Sequence, residues 1–244
     1  MSGLFFLTSA PKLNLMSAIE IDNLRFRYPS SQFELNLESL SIGEGERVAV
    51  VGPSGCGKTT LLNLIAGITV PNSGRVKIHD DDIGKMSDAQ RRDFRISNIG
   101  MVFQQFELVE YLSARDNILL PYAINASLTL TDSVRDKAVD LANSMGLDGK
   151  LDRFTTKLSQ GEQQRVAICR ALIADPKIIL ADEPTGNLDP KNKRVILDLI
   201  FAQADANSQS LIVVTHDMSI LDAFDRKIDF EDFFVEAEEQ EVVA

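Results

Sequence analysis

The sequence predicts an α/β fold: a core with a mostly parallel sheet, a small N-terminal antiparallel β subdomain and an inserted helical subdomain. Three observations predict it. A short apolar run at 47–51 feeds a glycine-rich turn at 52–57, and a helical pattern leaves it at 60–66. Strand patterns return at 177–180 and 211–215 with a helix between them. Strands alternating with helices build a parallel sheet. Between about 105 and 160 the pattern is helical, with turn signals and no strong strand.

The elements follow in order. β-like runs at 18–28 and 32–42 suggest a small antiparallel sheet beside the glycine-rich turn. Residues 75–78 read as a strand. Ser87 opens a helix, with Gln90 three residues on completing a capping box. Residues 99–103 read as a buried strand that ends at Gln104. Residues 132–145 form a helix closed by Gly146. Ser159 and Glu162 make a second capping box. Asp189 and Pro190 start the helix between the last two strands, as N-cap and first-turn proline. After Asp217 the pattern assigns no strand, and the acidic stretch 231–244 reads as a solvated tail or a weak final helix.

The whole chain sets bounds. At 244 residues it buries a large core without staples. Its net charge of −11 (25 basic minus 36 acidic residues) argues against a nucleic-acid-binding surface. Its cysteines, Cys56 and Cys169, have neither metal-site spacing nor the look of a structural disulfide, which fits a reducing compartment. No apolar run reaches the ~20 residues that span a bilayer. Met1, Ser2 and Gly3 supply no positive start for a signal peptide. Residues 1–15 are expected to be a flexible extension, and 16–244 one domain with the helical subdomain at about 105–160 inserted in it.

The chemistry is set at residues 52–59, Gly-Pro-Ser-Gly-Cys-Gly-Lys-Thr, which fit the phosphate-binding pattern G-x-x-x-x-G-K-[ST]. Backbone N–H groups of such a loop converge on phosphate oxygens, and the helix that follows aims its dipole at them. The expected cradle is Gly52, Pro53, Ser54, Gly55, Cys56, Gly57, Lys58, Thr59 and Thr60. Lys58 supplies charge to the β- and γ-phosphates, and the Thr59 hydroxyl is a Mg²⁺ ligand. This predicts a P-loop NTPase core.

The other motifs are ambiguous one by one. Ser159 with Gly161 and Glu162 is either an ordinary capped helix or an anion site at a helix N-terminus. The run 178–183, Ile-Ile-Leu-Ala-Asp-Glu, is a strand ending in two carboxylates. A lone histidine such as His216 is more often structural, and Tyr28 and Phe26 could be plain sheet residues. His79, the other histidine, reads as a surface residue.

In series these motifs resemble the ATP-binding cassette (ABC) ATPases, from about residue 19 to 217. Residues 158–162, Leu-Ser-Gln-Gly-Glu, resemble the signature motif, departing at Gln160 where the family usually has Gly. The resemblance implies that Asp182 holds Mg²⁺ and that Glu183 is the general base. Gln104 matches the glutamine that bridges Mg²⁺ and the membrane partner. His216 matches the switch histidine at the γ-phosphate, and Tyr28 the aromatic that stacks on adenine. Residues 185–189 match the segment that crosses the dimer, with Asp189 at its end. Ser159, Gly161 and Glu162 would then act on ATP held by a second subunit, so two chains sandwich two ATP molecules. Residues 182–189 resemble the lipoprotein-release, macrolide-efflux and cell-division group. An ATP- and Mg²⁺-dependent hydrolase follows: a homodimer on ATP, peripheral on the cytoplasmic face of the cell membrane, serving a separate transmembrane permease. An importer subunit or a soluble non-transport ABC ATPase is the alternative.

Overall fold

The computed structural model describes residues 16–29, 33–186, 188 and 190–233. Its centre is a five-stranded parallel sheet in the order β6(Ile99–Val102), β7(Ile178–Asp182), β8(Ser210–Thr215), β3(Arg47–Val51), β9(Arg226–Asp229). Strands β3, β7 and β8 are apolar on both faces, as a covered parallel sheet requires. The two-residue period divides their side chains between two cores. Val48, Val50, Ile178, Leu180, Ile212 and Val214 join one cluster; Ala49, Val51, Ile179, Ala181, Leu211 and Val213 join the other.

The first core is shared with an antiparallel sheet, in the order β2(Glu34–Gly43), β1(Ser17–Arg27), β4(Ser73–Ile78), β5(Asp81–Asp82), and with helix α1(Lys58–Ile65). The expected two-strand sheet is thus larger. The strand read at 75–78 runs antiparallel to β1, pairing Val76 with Ile21 and Ile78 with Ile19. The second core lies under helices α3(Ala114–Ile124), α4(Asp132–Ser144), α5(Gln160–Leu172) and α6(Pro190–Ala206).

Capping signals set several helix ends. Helix α2(Asp88–Asn98) opens on the expected box: Ser87 Oγ accepts from Gln90 N–H (3.3 Å) and Gln90 Oε1 accepts from Ser87 N–H (2.8 Å). Helix α4 ends at Ser144, one residue before the expected end, and is closed by Gly146 as expected. Gly146 at φ +68° donates to Asn143 O (2.9 Å), and Leu147 N–H reaches back to Ala142 O (2.9 Å). This paired closure satisfies two of the last free carbonyls and uses the left-handed conformation that glycine adopts without strain. The N-cap expected of Asp189 lies outside the described residues.

Some expectations are corrected. The helix after the glycine-rich turn begins at Lys58, not at residue 60, and β6 ends at Val102, one residue early. His79 is a half-buried turn residue at φ +50°, with Nδ1 3.3 Å from Glu44 Oε1. Beyond Asp217 the chain is structured. A 3-10 turn (Met218–Ala223) leads to β9, and a second (Phe230–Phe233) follows it. Strand β9 gave no sequence signal because its four residues are Arg-Lys-Ile-Asp and only Ile228 is buried. The acidic stretch begins within that last turn; residues 234–244 lie outside the described ones.

Candidate functional site

Strands β3, β7 and β8 all end on one side of the parallel sheet, where open α/β sheets hold their ligands. A cavity of about 390 Å³ lies there, lined by Tyr28, Phe33, Ser54, Gly55, Gly57, Lys58, Thr59, Thr60, Gln104, Asp182 and Glu183. Expected residues from four separate stretches of sequence therefore share one cavity.

The loop between β3 and α1 forms its floor. Gly57 is the N-cap of α1 at φ +105°, and no side chain caps the helix. The first N–H groups of α1 thus lack a side-chain partner, which makes an anion site. Lys58 is buried, and its Nζ donates to Gly52 O (2.8 Å) and Pro53 O (2.7 Å) and lies 3.8 Å from Cys56 Sγ. Cys56 is itself buried, and Phe230 packs beneath the loop. A Cβ built on Gly52 would lie 3.3 Å from Phe230 Cβ, and one on Gly57 3.4 Å from Phe230 Cε1. Phe230 is fully buried, and sequence reasoning missed it, because it sits between Asp229 and Glu231 in a segment with no strand pattern.

Across the floor, Thr59 Oγ1 donates to Asp182 Oδ2 at 2.7 Å. Burial pushes the Asp182 carboxyl above the usual carboxylate range; the Thr59 bond and Lys58 oppose the rise and Glu183 adds to it. A hydroxyl and a carboxylate in contact, with the Gln104 amide lining the same cavity, are hard oxygen donors that suit Mg²⁺. Among the described residues, no group of three or more His, Cys, Asp or Glu is arranged to hold a metal ion by itself. That fits an ion held by few protein ligands and substrate phosphates rather than by a closed cage.

Glu183 follows the end of β7 at φ +47°, a left-handed conformation that a non-glycine residue holds at a cost of about 1–3 kcal/mol. Two backbone bonds hold it: its N–H donates to Val214 O (2.9 Å), and its carbonyl accepts from Gly186 N–H (3.0 Å). The turn aims its carboxylate at His216, with Oε1 2.6 Å from Nδ1. The sequence placed these two residues in separate motifs, and the fold makes them a pair. Gly186 lies between this pair and Gln104: a Cβ there would sit 3.4 Å from Gln104 Nε2 and 3.5 Å from Glu183 Oε2.

Tyr28 is anchored twice. Its ring meets Phe26 edge-on at 4.7 Å, and its hydroxyl lies 3.3 Å from Thr60 Oγ1. Phe33, which sequence reasoning did not single out, stands beside it.

Ser159, Gly161 and Glu162 do not line this cavity. Ser159 is exposed at the start of α5, where Oγ accepts from Glu162 N–H (3.4 Å) and Glu162 Oε2 accepts from Ser159 N–H (2.8 Å). The other Glu162 oxygen pairs with Lys150. That hydrogen bond, aided by the Ser159 N–H, holds the Glu162 carboxyl below its usual range. Glu162 is thereby occupied as a cap, with both oxygens engaged. Farther along α5, Arg170 donates to the carbonyls of Phe106 (2.6 Å) and Glu107, which follow Gln104 in two left-handed turns. Asp189 lies outside the described residues.

Comparison with known proteins gives this geometry its family. Residues 35–186 match the family model described as ABC transporter. The lipoprotein-releasing system ATP-binding protein LolD of Psychrobacter arcticus is 38% identical over 189 residues, which cover 78% of this chain and 83% of that protein. The protein of that name from Cytophaga hutchinsonii is 40% identical over 192 residues, covering 79% and 87%. Among solved structures, a dimeric post-hydrolysis state of the ATP-binding cassette MJ0796 with ADP and Pi superposes with a TM-score of 0.76. It has 32% identity and covers 87% of this chain and 94% of that one. cbiO1 from Clostridium perfringens, part of the ABC transporter complex cbiONQ, gives 0.75 at 30% identity, covering 84% and 80%. With a matching family model over residues 35–186, relatives that align along most of the sequence and the same architecture, this chain belongs to the ABC transporter family.

Proposed function

We propose that this chain is the ATP-binding and ATP-hydrolysing subunit of an ABC transporter that releases lipoproteins or a related lipid-anchored cargo through a separate permease. One observation carries the hydrolytic reading: Glu183, bonded to His216 outside the cavity lining, shares one cavity with the Thr59–Asp182 pair above the phosphate loop. The relatives named for lipoprotein release support the cargo class, and the dimeric cassettes support assembly in pairs. No helix among the described residues is long and apolar enough to cross a membrane. The relatives named as ATP-binding proteins of a releasing system support a separate permease. We place the subunit on the cytoplasmic face of the cell membrane.

In this mechanism the N-terminal N–H groups of α1 bind the β-phosphate, and Lys58 exchanges the carbonyls of Gly52 and Pro53 for β- and γ-phosphate oxygens. Thr59, Asp182 and Gln104 would hold Mg²⁺, which would supply charge neutralisation on the transferred phosphoryl group. Glu183 takes a proton from the attacking water, and its bond to His216 fixes the carboxylate in line. Ser159 of the partner subunit reaches the γ-phosphate from the other side. ADP lacks that phosphate, so hydrolysis removes the bridge between subunits. An apolar groove of about 400 Å³ gives the permease its seat; Phe103 and Glu107, which flank the Gln104 turn, line it with Arg95, Met101, Leu120 and Ile124.

Glu183→Gln tests the reading. ATP binding should persist while turnover falls by about 10²–10⁴-fold, the scale of a lost general base. Turnover at the parent rate would remove Glu183 from the role.

A further inference from the structure

His216 stands outside the cavity lining, and its side chain is 65% exposed. Its Nδ1 lies 2.6 Å from Glu183 Oε1. An exposed ring is not held by packing, so its direction depends on the backbone at the end of β8. The next residue, Asp217, fixes that backbone. Its N–H donates across His216 to Thr215 Oγ1 at 3.0 Å. Its Oδ1 accepts from the N–H (3.0 Å) and the hydroxyl (2.6 Å) of Ser219, which starts the 3-10 turn.

Those bonds are local. The other carboxylate oxygen is bound from a different element: Oδ2 accepts from Lys193 Nζ at 2.8 Å, with both side chains largely buried. Lys193 lies near the start of α6, an unfavourable place for its charge. A helix N-terminus carries partial positive charge and disfavours cations. Helix α6 nevertheless opens with Lys191, Lys193 and Arg194 and has no acidic residue in its first turn. Lys193 therefore needs a counter-ion from outside the helix, and Asp217 supplies it. The bond ties the start of α6 to the residue beside His216.

We infer that Lys193 is a positioning residue for His216: it pins Asp217, and the pinned turn keeps the histidine ring aimed at Glu183. The inference rests on the hydrolytic reading of the Glu183–His216 pair. Lys193 touches neither of these side chains and acts on the reaction only through the end of β8.

The experiment compares the full chain with Lys193→Met, Lys193→Arg, His216→Ala and the Lys193→Met/His216→Ala double variant. It measures MgATP affinity, ATPase kcat and the NMR signals of the histidine rings. The chain has two histidines, so His79 is an internal control. Lys193→Met should leave MgATP affinity unchanged and lower kcat by about 3- to 10-fold, the scale of coupling within one hydrogen-bonded network. It should move the ring signals of His216 and leave those of His79 in place. Lys193→Arg keeps a donor for Asp217 and should restore both kcat and the His216 signals. In the double variant, kcat should equal that of His216→Ala alone. Unmoved His216 signals or an unchanged kcat in Lys193→Met would overturn the inference. So would a Lys193→Met loss that recurs in full on top of His216→Ala, because Lys193 would then act by another route. If His216→Ala is too slow to measure, the ring signals decide alone. A parent chain without ATPase activity would refute the hydrolytic reading instead, and the ring signals would still show whether Lys193 positions His216. Circular dichroism of each variant separates these results from misfolding.

Discussion

Two helix N-termini in this chain match phosphate-site motifs, and they are built in opposite ways. Helix α1 starts at Gly57 with no side-chain cap, on a buried Lys58, between Phe33 above and Phe230 beneath. Helix α5 starts at exposed Ser159 with a complete capping box, and Lys150 holds the far side of Glu162. The first terminus leaves its N–H groups for a ligand, and the surrounding fold holds it in place. The second satisfies its own groups and is stable without a ligand. A phosphate site completed inside one chain would not need to be split between a buried loop and a self-capped surface. We propose that α5 serves a nucleotide held by another copy.

The strongest test breaks the two termini separately and then recombines them. Lys58→Ala should weaken MgATP binding by about 10- to 100-fold, the scale of a lost charge-assisted bond. Ser159→Ala should leave MgATP affinity of the separate chain unchanged, and neither variant should turn over well alone. Mixing them makes dimers with one doubly damaged site and one intact site, so part of the ATPase activity should return. Activity in the mixture no higher than in either variant would count against the split site.

A smaller effect tests what holds the buried terminus. Phe230→Ala empties the space under Gly52 and Gly57 and should cost about 3–5 kcal/mol of stability, as core phenylalanine truncations do. Chemical denaturation measures it. A cost below 1 kcal/mol would show that the loop keeps its shape without this ring.

The smallest effect concerns the residue next to His216. The Asp217 carboxyl is held at about 2 by the Lys193 hydrogen bond first and by Ser219 second. Its folded value lies below the ordinary 3.8, so its contribution is complete above pH ~4. It is lost as the pH falls from there toward 2. Asp217→Asn should lower Tm at pH 7 by about 2–4 °C, the scale of 1 kcal/mol in a chain this size. The difference from the parent should shrink below pH 4. A difference that stays constant down to pH 2 would mean that the charge of Asp217 is not its cause.

Much of this was legible because it is local. The pattern at 52–59 names its own ligand, since loop, lysine and hydroxyl must be consecutive to wrap a phosphate. Capping boxes at Ser87 and Ser159 read correctly because donor and acceptor are three residues apart. The apolar run of β7 declared its carboxylates, because a buried strand must end where charge begins. The bond between Glu183 and His216 was not legible. It joins positions 33 apart, and it exists because β7 and β8 are hydrogen-bonded neighbours and Glu183 turns left-handed at the strand end. The same holds for β9, a strand in which only Ile228 is buried; it exists because β3 offers a free edge.

By itself, then, the sequence determined the ligand class, the order of the motifs and the strands and helices that carry a strong local pattern, because each depends on spacing within a few residues. The tertiary structure decided which residues meet. It set Phe33 on Gly57, Phe230 under the loop, Thr59 against Asp182 and Arg170 on the turn after Gln104. It also kept Ser159 out of the cavity. Those contacts come from sheet order and from the packing of two cores on one sheet, which no local pattern encodes.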